Sequence, residues 1–99
     1  MPNAVEIAPA ALRALKHRRA RRDRAALVAA IDGLAADARP PGSKRLTNTD
    51  GLHRLRVGDW RIVYAAIEAE ARVVVLRIAR RDKVYRGVGR LIPPPGTGA

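Results

Sequence analysis

The sequence predicts an α+β domain in which an N-terminal helical hairpin packs on a small antiparallel β-sheet. Three observations predict it. Leu27, Ala30, Ile31 and Leu34 fall at i, i+3, i+4 and i+7, the spacing of a helix with one apolar side. From residue 52 onward apolar and polar residues alternate instead, as strands require. Between the two regimes stands Arg39-Pro40-Pro41-Gly42, a helix stop.

The elements follow in order. Ala4–Ala8 alternates and reads as a short first strand. Pro9 suits the first turn of a helix, and Leu12 and Leu15 carry a thin apolar stripe to about residue 20. Asp23 is a candidate N-cap for a second helix running to about Ala36. Two helices with so little between them make a helical hairpin. Residues 42–51 form a polar loop carrying Lys44, Arg45, Asn48 and Asp50.

Leu52–Val57 and Trp60–Ile67 are strands joined at Gly58-Asp59. Glycine first in a two-residue loop suits a type II′ hairpin turn, because glycine accepts positive φ without steric cost. That register sets Val57 opposite Trp60, Arg56 opposite Arg61 and Leu55 opposite Ile62. Glu68–Ala71 makes a second reversal. Arg72–Ala79, with Val73-Val74-Val75-Leu76, has the signature of a buried strand, and Val84–Val88 reads as a short last one. Residues 1–92 form one domain. Pro93-Pro94-Pro95-Gly96 can neither pack nor pair, so 93–99 is expected to be a flexible tail.

Alternation sorts the central hairpin into two faces. Leu55, Val57, Trp60, Ile62 and Tyr64 share one, which the helices should cover. Arg54, Arg56, Arg61, Val63 and Ala65 share the other, expected to be open and cationic. Like charges directly opposite on a sheet are destabilising. A fold tolerates Arg56 against Arg61 most easily if that face meets an anion.

Composition narrows the function. Twenty Lys/Arg against nine Asp/Glu give a formal charge of +11 over 99 residues. Most of the cations are Arg, whose planar fork binds phosphate bidentately and stacks on bases, so nucleic acid is the favoured partner. An acidic protein partner would also mask this charge. The absence of Cys excludes disulfides and thiolate metal sites. His17 and His53 alone make no zinc site, so neither metal nor cofactor is expected. No apolar run has membrane-spanning length and no signal peptide is evident, which predicts a soluble, cytoplasmic protein.

A second constellation follows the buried strand. Arg80-Arg81-Asp82-Lys83-Val84-Tyr85-Arg86 falls at a sheet end, a usual place for functional groups. Arg80 reads as solvated. Tyr85 reads equally as a half-buried cap on the core or as a functional ring. Asp59 serves the turn, and Asp82 is expected to pair with a neighbouring Arg. His53 shares the Leu55 face, which places it helix-side or at an edge. Arg18-Arg19-Ala20-Arg21-Arg22 reads first as a solvated face.

Residues 52–86, LHRLRVGDWRIVYAAIEAEARVVVLRIARRDKVYR, resemble the C-terminal sheet of the RelE/ParE toxin superfamily. The helical hairpin before them and Lys44-Arg45-Leu46 fit the same order, so the resemblance covers about residues 4–87. It implies the RelE-like fold and a toxin of a type II toxin–antitoxin module, held by a cognate antitoxin. The RelE branch implies metal-independent cleavage of messenger RNA in the ribosomal A site. The branch's active positions fall here on Arg54 and Arg56, on Arg61, on Arg81 and on Tyr85.

On that reading the catalytic residues are Arg61, Arg81 and Tyr85. Arg61 is assigned to the pentacovalent phosphate, Arg81 to the leaving oxygen, and Tyr85 to base stacking or proton transfer. Arg54 and Arg56 grip flanking phosphates, with Lys44 and Arg45 beside them, while Arg18 and Arg22 grip ribosomal RNA. The chain departs from the family's pattern in places. Leu52 and Arg54 stand where some members carry lysines, Arg80 stands where many carry His, and no Glu–His pair serves as acid and base. The alternatives are a ParE-like inhibitor of DNA gyrase, a non-catalytic nucleic-acid-binding module, and a degenerate toxin.

Overall fold

Pro9, with its fixed φ and missing N–H, opens helix α1 at Pro9–Lys16 in the computed structural model, which describes residues 2–86 and 91. Before it runs strand β1, Ala4–Ile7. Helix α1 is shorter than the stripe suggested, because His17 turns to an extended conformation. The His17 imidazole Nδ1 accepts the Arg19 N–H at 3.1 Å and starts a 3-10 turn at Arg18–Ala20. Arg24 then donates to the carbonyls of Leu15, Lys16 and His17, the orphan acceptors at the end of α1.

Helix α2 spans Arg24–Gly33, and Asp23 takes the N-cap position without capping. Its carboxylate instead accepts the Trp60 indole N–H at 2.8 Å. The expected continuation to Ala36 is a succession of turns closed by the carbonyls of Ile31, Asp32 and Gly33.

Strands β2 (Ser43–Arg45), β3 (Leu52–Val57), β4 (Trp60–Ile67) and β5 (Arg72–Arg80) complete a five-stranded sheet in the order β1-β5-β4-β3-β2. The α+β class is as expected, and the sheet is antiparallel except that β1 joins β5 in parallel, Ala4 beside Arg72. β2 arises inside the stretch expected to be a loop, as a short edge strand pairing Lys44 with Arg54 and Arg45 with His53. The β3–β4 register is the expected one, Arg56 facing Arg61 and Val57 facing Trp60. Gly58 has φ 58° and Asp59 does not take positive φ, which fits the type II′ turn. The second reversal runs through a 3-10 turn at Glu68–Glu70 and closes on Ala71 in the left-handed region, φ 48°.

A bulge separates two registers of β5: Val63 pairs with Arg77 but Tyr64 with Val75, so Leu76 is the extra residue. Strict alternation from Val73 and Val75 would have driven Arg77 into the helix-side core. The bulge turns Arg77 to the other face and gives the core Ile78 instead.

Two apolar layers result. On the helix side Leu15, Leu27, Ile31 and Leu34 pack on Leu55, Trp60, Ile62, Tyr64, Val73 and Val75. On the outer face Leu52, Val63, Ala65, Val74 and Leu76 pack under Val84, with Leu46 and Leu91 at the margin. The outer face is therefore not an open cationic surface throughout. The apolar residues the alternation placed there, Val63 and Ala65, are roofed.

The roof is not the expected last strand. Residues 81–86 form turns, in which Lys83 and Val84 donate their N–H groups to the Arg80 carbonyl. Burying Val84 is worth about 1.5–3 kcal/mol. Val88 and the expected tail at 93–99 lie outside the described residues.

Candidate functional site

Sheet pairing lays the outer-face cations out in two rows. One runs Lys44, Arg54, Val63, Arg77 across β2, β3, β4 and β5, and the other runs Arg56, Arg61, Ala79. Two cation–cation neighbours, Lys44 with Arg54 and Arg56 with Arg61, thus sit on one face. Backbone carbonyls orient these side chains. Arg54 Nη1 donates to Gly42 O at 3.0 Å. Arg61 Nη1 donates to Gly58 O at 2.8 Å and Trp60 O at 2.9 Å. Arg77 Nη1 donates to Val84 O at 2.8 Å and also to Arg86 O.

A carbonyl orients a guanidinium without cancelling its charge. The ion pairs among the described residues lie elsewhere: Arg72 with Glu6 and Glu70, Arg39 with Glu68 at 2.6 Å, and Arg80 with Asp59 at 3.7 Å. The hydrogen bond to Arg72 holds the Glu6 carboxyl below its ordinary range. The outer-face arginines keep their positive charge, which is what a polyanion requires.

The end of β5 completes the site. The Arg81 N–H donates to Asp59 O at 2.9 Å, so the segment after β5 is joined to the hairpin turn. Arg81, with Asp59, Arg80 and Asp82, borders a cleft of about 280 Å³. Asp82 forms no ion pair among the described residues, contrary to expectation. Arg56 and Arg81 are exposed, and the Tyr85 ring is 44% exposed although Val84 beside it is fully buried. Arg61 is only 9% exposed, a buried post under the turn rather than a surface side chain.

The remaining expected residues are spread around the molecule. Lys44 lies in the outer row, whereas Arg45 falls on the helix side of the same edge strand, opposite His53. Arg18 and Arg22 surround, with Arg19 and Arg21, a recess of about 440 Å³ at the α1–α2 corner. Arg80 lies over Trp60, 5.6 Å from the ring centroid. His53 is helix-side as expected, stacked on Tyr64 at 5.4 Å. Its Nδ1 is buried without a hydrogen-bond partner among the described residues, and burial pushes its pKa down. A base held this way on the far face does not reach the cationic rows. No group of three metal-ligating side chains occurs among the described residues, and no helix there is long and apolar enough to cross a membrane.

Residues 5–85 match the family model described as the ParE toxin of the type II toxin–antitoxin system parDE. The chain belongs to this toxin family. It is a member of the RelE/ParE superfamily and a RelE-like toxin of the type II class. A curated relative, Toxin RelE of Mycobacterium tuberculosis, is 42% identical over 45 residues, which is 46% of this chain and 46% of that protein. The match thus spans about half the length of that relative.

Solved structures extend the likeness of this toxin over most of its length. The toxin–antitoxin complex RelBE2 of Mycobacterium tuberculosis contains a chain 27% identical, TM-score 0.69, covering 82% of this chain and 100% of its own. A RelE–RelB complex of Pyrococcus horikoshii is 21% identical with TM-score 0.70, covering 85% of this chain and 100% of that one. A free-state RelE variant of Escherichia coli is 19% identical with TM-score 0.69, covering 93% and 100%. The last two establish likeness of fold.

The residue absent from the expected set is Arg77. Its only signal in the sequence is negative: a cation at a position where uninterrupted alternation would bury it among the helices.

Proposed function

We propose that this toxin is a metal-independent endoribonuclease that cleaves messenger RNA in the ribosomal A site. The observation that supports this reading is the concentration of Arg56, Arg61 and Arg81 around the hairpin turn, at one end of a sheet face where Arg54, Arg61 and Arg77 are held by carbonyls rather than carboxylates. Such a face suits a reaction in which charge develops on phosphate oxygens.

In this mechanism the RNA supplies its own nucleophile. The 2′-OH loses its proton and attacks the adjacent phosphorus. The bond to the 5′ oxygen breaks, that oxygen takes a proton, and a 2′,3′-cyclic phosphate remains. Arg61, held beneath the turn, stabilises the pentacovalent phosphate through its positive charge. Arg81 stabilises the leaving oxygen, and Arg54, Arg56 and Lys44 hold flanking phosphates. Tyr85 stacks on a base or passes a proton. Arginine stays protonated at physiological pH and is a poor base. The ribosome's alignment of the message therefore carries much of the acceleration.

The toxin works in the cytoplasm and is restrained by an antitoxin whose acidic segment covers the cationic rows. The solved relatives in toxin–antitoxin complexes support that pairing. Mapping message ends on translating ribosomes tests the reading. Cuts at A-site codons, lost in Arg81→Ala, are expected; intact messages would overturn it. The matched parDE family description favours a second reading, inhibition of DNA gyrase. Gyrase-dependent DNA breakage without message cleavage would establish that one.

A further inference from the structure

The segment that presents Tyr85 has two anchors. At its start the Arg81 N–H is bound to Asp59 O. At its end one guanidinium nitrogen, Nη1 of Arg77, donates to the carbonyls of both Val84 and Arg86. Those two carbonyls flank Tyr85 on either side. The peptide group before the tyrosine and the carbonyl of the residue after it are therefore held by the same nitrogen, and the Val84 side chain is sunk in the outer apolar layer.

Yet the Tyr85 ring is exposed, and no hydrogen bond or ring contact with another described residue holds it. Its placement comes from its backbone. Arg77 reaches that backbone only because the bulge at Leu76 turns it outward. A lysine would hold the two carbonyls less firmly. Its ammonium is a flexible point charge, whereas the planar guanidinium holds a fixed donor geometry.

We propose that Arg77 is a positioning residue: through the Val84 and Arg86 carbonyls it fixes Tyr85 beside Arg81 on the cationic face. This rests on the ribonuclease reading only for its consequence in catalysis; the structural part stands without it. Arg77 itself contacts no RNA in the proposal. Displacing a reacting group by about 1 Å costs on the order of 10²-fold in rate, so the latch matters at the chemical step.

Two tyrosines make the test direct, since Tyr64 is fully buried and Tyr85 is exposed. The full-length toxin labelled with 3-fluorotyrosine gives one ¹⁹F resonance from each. In Arg77→Met and Arg77→Lys the Tyr85 line should shift and narrow while the Tyr64 line stays. Cleavage on programmed ribosomes should lose about 10²-fold in kcat, with KM for the ribosome within a factor of about two. An unmoved Tyr85 line in a folded variant overturns the proposal, as does a loss confined to KM. If Arg77→Met also disturbs Tyr64, Arg77→Lys decides. If the wild-type toxin cleaves nothing, the ribonuclease reading fails and the ¹⁹F result alone decides whether Arg77 places Tyr85.

Discussion

Trp60 donates its indole N–H to the Asp23 carboxylate at 2.8 Å, joining the first residue after the hairpin turn to the start of α2. The helical layer and the hairpin end of the sheet thus meet in one bond. Asp23→Ala should cost about 1–3 kcal/mol, because it strands a largely buried donor. Asp23→Asn should cost less, since the amide oxygen still accepts. Urea unfolding checks this, with Trp60→Phe as the second arm of a cycle. Equal losses from Asp23→Ala in both backgrounds would assign the effect to the carboxylate's charge at the start of α2 instead.

His53 makes stability depend on pH. Its folded pKa lies below the ordinary 6.5 because burial disfavours the charged ring. The unfolded chain therefore binds the proton first. Stability is full above pH 6.5 and falls as pH drops through that value towards the folded pKa. His53→Phe keeps a ring on Tyr64, removes the buried unpartnered Nδ1 and should flatten the profile in that window. Thermal melts between neutral and mildly acidic pH decide it, and an unchanged slope would count against the assignment.

Two turn positions should respond in opposite directions. Ala71 is left-handed at φ 48°, a conformation costing an L-residue about 1–2 kcal/mol, so Ala71→Gly should raise the melting temperature. Gly58 at φ 58° should lose about 1–3 kcal/mol on substitution by Ala. A Cβ there meets nothing within 4 Å, so the cost is conformational rather than steric.

Stability and activity should separate at the cationic face. Arg81 is exposed, so Arg81→Ala should leave the melting temperature nearly unchanged and reduce cleavage about 10²- to 10³-fold. Arg61→Ala should lose both, because it also leaves the Gly58 and Trp60 carbonyls without their donor. Parallel melts and single-turnover assays make the comparison. A fully active, destabilised Arg61→Ala would reduce Arg61 to a turn support.

Arg18 and Arg22 should act on binding alone. Replacing both with Ala should weaken ribosome association and lower its salt dependence by about one unit of slope for each phosphate no longer neutralised. The cleavage rate of bound message should not change. Binding measured over a range of potassium chloride tests this.

The parts legible in the sequence were those with strong local periodicity. The β3–β4 register and its turn followed from Gly58-Asp59 between alternating runs, and the helix-side core from Leu27, Ile31, Leu55 and Ile62. β2 was not legible, because Ser43-Lys44-Arg45 has no apolar alternation and is a strand only through pairing with β3. The parallel partner of β1 lies far along the chain, and no local pattern encodes it. The site shared this division. Arg56 opposite Arg61 was readable from register, whereas the burial of Arg61 and the latch made by Arg77 required the Leu76 bulge and the packing of Val84.

Strand β1 has a consequence for the toxin's own synthesis. Residues 4–7 leave the ribosome well before residues 72–75, which are their hydrogen-bonding partners. Through most of translation that edge has nothing to pair with, and β4 still lacks its other neighbour as well. The same holds for the hairpin end of the sheet, where Arg81 must reach the carbonyl of Asp59. The sheet closes only late in the chain's emergence, so the cationic face takes shape after almost all of the domain has been made.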